Sequence, residues 1–209
     1  MRILYLDTSS SFLYCGLVED NKLIFEEKKL LSKDMSKYSL ITIKEKFDEF
    51  NISTDFVDKI ILVNGPGSFT GIRIGATIAK TYAWAKQIPI TTITSLEAMA
   101  LSCTENSNLI VPIIDARRGF VFGQIFDSDF NAVIEPKYIS LEFLKTEVSK
   151  IDSSVAFVSN DSFDFEVAKY VPNILKIVTK YKDKPGVNPH SIDAFYLKLT
   201  EAEEKLNAN

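Results

Sequence analysis

Histidine is nearly missing from this chain. His190 is the only one in 209 residues, which excludes a metal site built on histidines and leaves a Ser/His triad only if this one late residue supplied its base. Cysteine is almost as scarce: Cys15 and Cys103 stand far apart without metal-ligand spacing, so reduced thiols in a cytoplasmic protein are the simplest expectation. Positive charge is short too, with 24 Lys and Arg against 28 Asp and Glu and a net charge of −4. The longest basic runs are pairs, Lys28-Lys29 and Arg117-Arg118, so a phosphate-tracking face is not expected from this chain alone. No apolar run reaches the roughly 20 residues of a membrane helix. Met1-Arg2 leads straight into a strand-like segment, so no signal peptide is expected. Glycine also runs out, since only Gly186 follows Gly123.

What is present centres on residues 60–86. Ile60 to Val63 reads as a buried strand, Asn64-Gly65-Pro66-Gly67-Ser68 as a tight turn, and the rest as a long apolar helix. Strand, turn and helix in that order aim backbone N–H groups over the turn, so Gly65, Gly67, Ser68 and Arg73 are candidates for an anion site. Neither standard phosphate motif fits: Gly71 is followed by Ile72 and Arg73 rather than Lys and Ser/Thr, and it falls one place late for G-x-G-x-x-G. Along the helix Gly71, Gly75, Ala79 and Ala83 recur every fourth residue, a lane of small side chains. Two readings stand side by side: a core helix of one domain, or a face where a partner helix docks with Tyr82 and Trp84 as anchors.

The remaining chain reads as mixed α/β. Residues 2–8 form a buried strand ending in Asp7 and Thr8. Segments 11–19 and 22–31 make a hairpin, and about 37–50 an amphipathic helix with Leu40, Ile43, Phe47 and Phe50 on one side. Strands follow at 58–63 and 90–93, then a helix at 96–102 capped by Ser95. A second block has strands at 109–115, 120–126, 132–140 and 154–159, with Ala116-Arg117-Arg118-Gly119 as a hairpin turn. Helical stretches are expected near 141–149 and 163–169, an irregular segment over 180–190, and a charged helix towards 207. Both blocks open on a strand ending in Asp (Asp7, Asp115) followed by a hairpin and a helix, which suggests a duplicated lobe, 1–105 and 106–209, the second reduced.

Four segments carry a resemblance: ILYLDTSS (3–10), VNGPGSFTGIRIG (63–75), ITSLEA (93–98) and IIDARRG (113–119), with AFYLKLTEAE (194–203) near the end. Together they resemble the TsaB (YeaZ) family, the smaller actin-like subunit of the bacterial machinery that makes threonylcarbamoyladenosine at position 37 of tRNAs. The resemblance runs from Ile3 to about Gly123; 127–190 adds little beyond strand and helix pattern. It implies a two-lobed actin-like, Hsp70-like (ribonuclease H-like) fold and a supporting role beside a larger catalytic paralogue, TsaD, with a small ATPase, TsaE. It implies no cofactor and no metal in this chain, with ATP and metal on partner subunits, and tRNA reached only through the complex. It also implies pairing through first-lobe helices, either with TsaD or as a homodimer, which gives Gly71, Gly75, Ala79, Tyr82, Ala83 and Trp84 as interface candidates. The start of the first helix departs from the family: Asp34-Met35-Ser36-Lys37-Tyr38-Ser39 replaces a His-Ser-Glu-like segment.

Two other functions remain open at this level. An ATP-dependent phosphotransferase of the sugar-kinase type would use Asp7 with Thr8 and Ser9, but it needs glycine turns in the second lobe that the sequence lacks. A self-contained homodimer with a regulatory role is the other. Asp115, Arg117 and Arg118 fit either a forked phosphate or carboxylate contact or a solvated turn in which Asp115 pairs with one arginine. A protease is not supported, since GPGSFTG is not the G-x-S-x-G elbow.

Overall fold

The protein is described here from a computed structural model, which describes residues 1–198. The chain forms two compact units. The first begins with strands β1 (Arg2–Asp7), β2 (Phe12–Glu19) and β3 (Lys22–Leu30), then helix α1 (Met35–Glu49), β4 (Lys59–Val63), α2 (Phe69–Lys86), β5 (Ile90–Ile93) and α3 (Ser95–Ser102). The second holds β6 (Leu109–Asp115), β7 (Phe120–Asp127), β8 (Ala132–Ser140), α4 (Leu141–Ser149), β9 (Val155–Ser159) and β10 (Ala168–Lys169). The chain then returns to the first unit through α5 (Ile174–Tyr181).

Each unit is built on one five-stranded mixed sheet. The orders are β3-β2-β1-β4-β5 and β10-β9-β6-β7-β8, which are the same plan read from opposite edges. In both, the opening strand pairs antiparallel with its hairpin partner and parallel with a later strand: β1 with β2 and β4, β6 with β7 and β9. The repeat expected from the two Asp-ending strands is therefore present. The second copy is shorter, because β9 passes to a two-residue β10 with no helix between them.

Hydrophobicity explains the strand positions. β1 and β4 are buried almost end to end, as expected for strands covered on both faces. Edge strand β3 buries only Phe25, alternates exposed and partly buried residues after it, and carries Glu26, Glu27, Lys28 and Lys29, charges that discourage a further strand from pairing. The core of the first unit includes Leu6, Leu17, Phe47, Ile60 and Leu62. That of the second gathers Val111, Ile113, Val121, Ile125 and Leu144.

Several local expectations are corrected. Residues 163–169 form no helix; Phe163 and Phe165 pack as side chains against the second core. Helix α5 was not expected, although its signal is present: Asn173 caps it by accepting Lys176 N–H, and Ile174, Ile177, Val178 and Tyr181 share one buried face. That face packs on the first unit, so Val171–Ala194 belongs there and the division is not one cut at 105/106. The cap of α3 is Thr94, whose Oγ1 accepts Glu97 N–H while Glu97 Oε2 accepts Thr94 N–H, a reciprocal capping box. Ser95 is buried one residue further in. Residues 191–198 hold no α-helix, and the charged helix expected towards 207 lies outside the described residues beyond that point.

Lys59 fastens the returning segment. Its ammonium is buried in the first unit and donates to the carbonyls of Lys182 at 2.8 Å and Lys184 at 2.5 Å, beyond the last turn of α5. Burial pushes its pKa below the ordinary lysine value. Lys59→Ala leaves those carbonyls unpaired in a buried place and is expected to cost about 1–3 kcal/mol, read as a lower urea midpoint. An unchanged midpoint would contradict the clamp. Burial also pushes the Cys15 thiol up to about 12, whereas Cys103 is half-buried. Iodoacetamide at pH 8 should therefore alkylate Cys103 and spare Cys15 until the chain unfolds; equal labelling of the native protein would refute this.

Candidate functional site: the glycine turn, the arginine hairpin and the face of two helices

The glycine turn is used for closeness. Gly67 has φ +155° and lies so near the β1–β2 loop that a Cβ there would sit 2.2 Å from the Ser9 carbonyl oxygen. Ser68 N–H donates to that same carbonyl at 2.7 Å, and Gly65 O accepts Ser95 N–H at 2.9 Å. Ser68 Oγ then caps α2 by accepting Gly71 N–H. The turn N–H of Ser68 and the first-turn N–H of Gly71 are thus spent inside the protein. Asp7 is buried and its Oδ1 accepts Ser9 N–H at 2.8 Å, so its carboxylate orders the loop after β1. Arg73 stands on the exposed side of α2 with its guanidinium 3.8 Å from the centre of the Phe69 ring.

The lane of small residues begins against the protein's own first strand. Gly71, Gly75, Ala79 and Ala83 are all buried. A Cβ on Gly71 would lie 2.0 Å from Thr8 O, and one on Gly75 2.3 Å from Thr8 Oγ1. Thr8 Oγ1 in turn donates to Gly71 O at 2.8 Å. At Gly71 and Gly75 the lane lets α2 settle on its own sheet, which removes these two from a partner-helix contact, whereas buried Ala79 lines the recess between α1 and α2 and buried Ala83 the recess beside Trp84. Tyr82 and Trp84 part company, because residues two apart lie on opposite sides of a helix. Tyr82 is half-buried and its hydroxyl donates to Thr54 O. Trp84 is 63% exposed and borders another recess with Pro89, Val187 and His190.

Another surface takes the lane's place. Between α1 and α2 a recess of about 300 Å³ opens onto the sheet, lined by Leu6, Leu40, Ile43, Ile60, Ile78 and Tyr82 among others. Its walls are almost wholly apolar, and Leu40 on its rim is 59% exposed with Ile41 beside it also exposed. The spacing of Leu40 and Ile43 marked this side of α1 as a core stripe. What the pattern could not show is that the stripe overhangs the sheet and part of it meets water.

In the second unit the hairpin after β6 carries the other candidates. Asp115 Oδ1 accepts Arg117 N–H at 2.8 Å, and no ion pair between Asp115 and either arginine is found among the described residues, which corrects the expected pairing. Asp161, not foreseen, accepts Asp115 N–H at 2.8 Å and is itself held by Ser159. Burial pushes its carboxyl above the ordinary range, and the Asp115 charge adds to this. The described residues hold no group of three or more His, Cys, Asp or Glu placed to share a metal.

Residues 28–166 match the family model described as "TsaD: tRNA N6-adenosine threonylcarbamoyltransferase". A Bacillus subtilis protein named tRNA threonylcarbamoyladenosine biosynthesis protein TsaB is 30% identical over 98% of this chain and 97% of its own length. The chain belongs to the TsaB family. The Haemophilus influenzae TsaB is 28% identical over 78% of the chain and 70% of its own length. A solved Pseudomonas aeruginosa YeaZ structure superposes with a TM-score of 0.76 at 16% identity, covering 93% of this chain and 100% of that one. A second Pseudomonas aeruginosa structure, described as similar to peptidase YEAZ, gives 0.81 at 17% identity over 94% and 99%. Those likenesses give the TsaB chain its fold, actin-like and ribonuclease H-like. The matched residues run from the end of β3 to just short of β10, so they take in β4 and β5 of the first sheet and β6 to β9 of the second.

Because Gly75 faces Thr8, Gly75→Leu should damage folding itself. Overpacking of about 3 kcal/mol or more is expected where backbone and a hydroxyl cannot yield, seen as loss of cooperative melting in circular dichroism. A Gly75→Leu protein that melts like the parent would restore the lane to the surface.

Proposed function

We propose that this chain is the supporting subunit in threonylcarbamoyladenosine formation at adenosine 37 of tRNA, working by docking on the larger catalytic paralogue, TsaD. Membership of the TsaB family supports the process. The apolar recess between α1 and α2 supports the mode of action, since its partly exposed rim gains by being covered. Non-catalytic standing is supported by the histidine count: the catalytic paralogue holds its metal with an H-x-x-x-H motif, and this chain has His190 alone. ATP and metal then belong to the partners, with TsaE supplying the ATPase, and tRNA arrives through the complex. The same helix face serves a homodimer when TsaD is absent. A cytoplasmic site follows from the tRNA substrate, and no described helix is long and apolar enough to cross a membrane.

The test is co-purification with TsaD. Leu40→Glu combined with Ile78→Glu places two charges in the recess and should abolish the complex. Burying each unpaired carboxylate would cost several kcal/mol in the assembly; Leu40 is exposed in the free chain whereas Ile78 packs against the core, so parental melting of the double variant is the control. Retention of the complex by the double variant moves the interface elsewhere. Vigorous ATP hydrolysis by the isolated chain would instead favour a phosphotransferase of the sugar-kinase type.

A further inference from the structure

The hairpin after β6 is built in an unusual way for its residues. Phe120 N–H donates to Arg117 O at 3.0 Å and Ala116 N–H to Phe120 O at 2.9 Å, which leaves Arg117, Arg118 and Gly119 at the tip. All three have positive φ: 68°, 56° and 77°. Gly119 suits such a turn, and a Cβ there would meet nothing within 4 Å, so the tip stands in open space. Two arginines do not suit it. Asn, Asp or Gly would hold the same backbone more cheaply, and non-glycine residues held there gather at ligand clamps. Both arginine side chains are exposed.

Immediately after the tip comes a column of rings. Phe120 stacks on Tyr138 with centroids 4.8 Å apart and planes 15° from parallel, and Phe122 leans on the same Tyr138 ring at 5.7 Å. The Lys198 ammonium lies 5.0 Å from the centre of Tyr138. Phe120 ends the column and remains 37% exposed. Two exposed acids stand nearby with backbone partners of their own: Asp115 accepts the Arg117 N–H and Asp161 the Asp115 N–H. A flat open ring flanked by two arginines on a strained tip and backed by a lysine is a place for a planar group carrying negative charge.

The geometry points to a contact for single-stranded RNA, one unpaired base stacking on Phe120 while its flanking phosphates meet Arg117 and Arg118. Stacking accepts any base, and forked guanidinium groups suit phosphate oxygens. A net charge of −4 makes this a secondary hold on an RNA gripped mainly by other subunits. The inference rests on the RNA-modifying role proposed above for the source of its ligand. It adds that this chain touches the RNA itself.

Fluorescence anisotropy of a labelled 12-nucleotide single-stranded RNA, titrated with the full chain at low salt, tests it. Saturable binding is expected, weakened about 5-fold or more by Phe120→Ala and equally by Phe120→Leu, which keeps apolar bulk and loses the flat face. Arg117→Ala with Arg118→Ala should flatten the log–log salt slope by roughly 0.7 per residue. Phe143→Ala, an exposed ring on α4, should change nothing, and parental melting of the variants confirms folding. Four outcomes overturn the inference: no saturable binding, equal affinity for duplex RNA of the same length, indifference to both Phe120 variants, or equal displacement by polyglutamate, which would make the patch an acidic-protein site. A chain that co-purifies with TsaD yet fails these arms overturns this inference alone.

Discussion

The first unit depends on how closely helix α2 can approach strand β1. Gly71 and Gly75 present bare backbone to Thr8, whose hydroxyl bonds back to Gly71 O. With any larger residue at either position the helix would stand off, and the carbonyl, the hydroxyl and the tight turn at Gly67 would lose their partners together. A glycine inside a helix costs about 1 kcal/mol relative to alanine, so the two are kept for this contact. Everything on the other side of α2 follows from that depth: Ile78 and Tyr82 can form one wall of a recess that α1 completes.

The same contact explains the fate of Asp7. In a phosphate-handling relative of such a fold an acid at the end of the first strand would face ligand. Here it is buried, bonded to Ser9 N–H, inside a loop that the glycine turn pins from above. In the strand-turn-helix arrangement the Ser68 N–H is spent on the Ser9 carbonyl and the Gly71 N–H on the Ser68 hydroxyl. The second unit has its own strand-ending acid, Asp115, at an exposed place, where it accepts the Arg117 N–H of a hairpin whose two arginines are exposed.

Lys59 and α5 show a different kind of constraint. A chain that has already built its second sheet returns to the first unit and is held there by a buried cation on three backbone carbonyls, Tyr181, Lys182 and Lys184. The Asp183 charge close by also favours the cation. The arrangement satisfies helix-end carbonyls that would otherwise be buried unpaired.

Most of the strands, helices α1, α2 and α4, and the duplicated plan were legible from period and punctuation alone, because strands buried on both faces and amphipathic helices write their environment into the residue order. The family was legible too, in GPGSFTGIRIG and its companions. Periodicity could group Gly71, Gly75, Ala79 and Ala83 on one side of a helix, yet small side chains admit a sheet as readily as a second helix. Only the tertiary structure decided that the first strand takes the Gly71 and Gly75 end of that side, since the direction in which a stripe faces depends on elements distant in sequence. For the same reason the partly exposed recess, the returning α5 and the ring column at Phe120 came from the fold: each joins residues that no spacing along the chain connects.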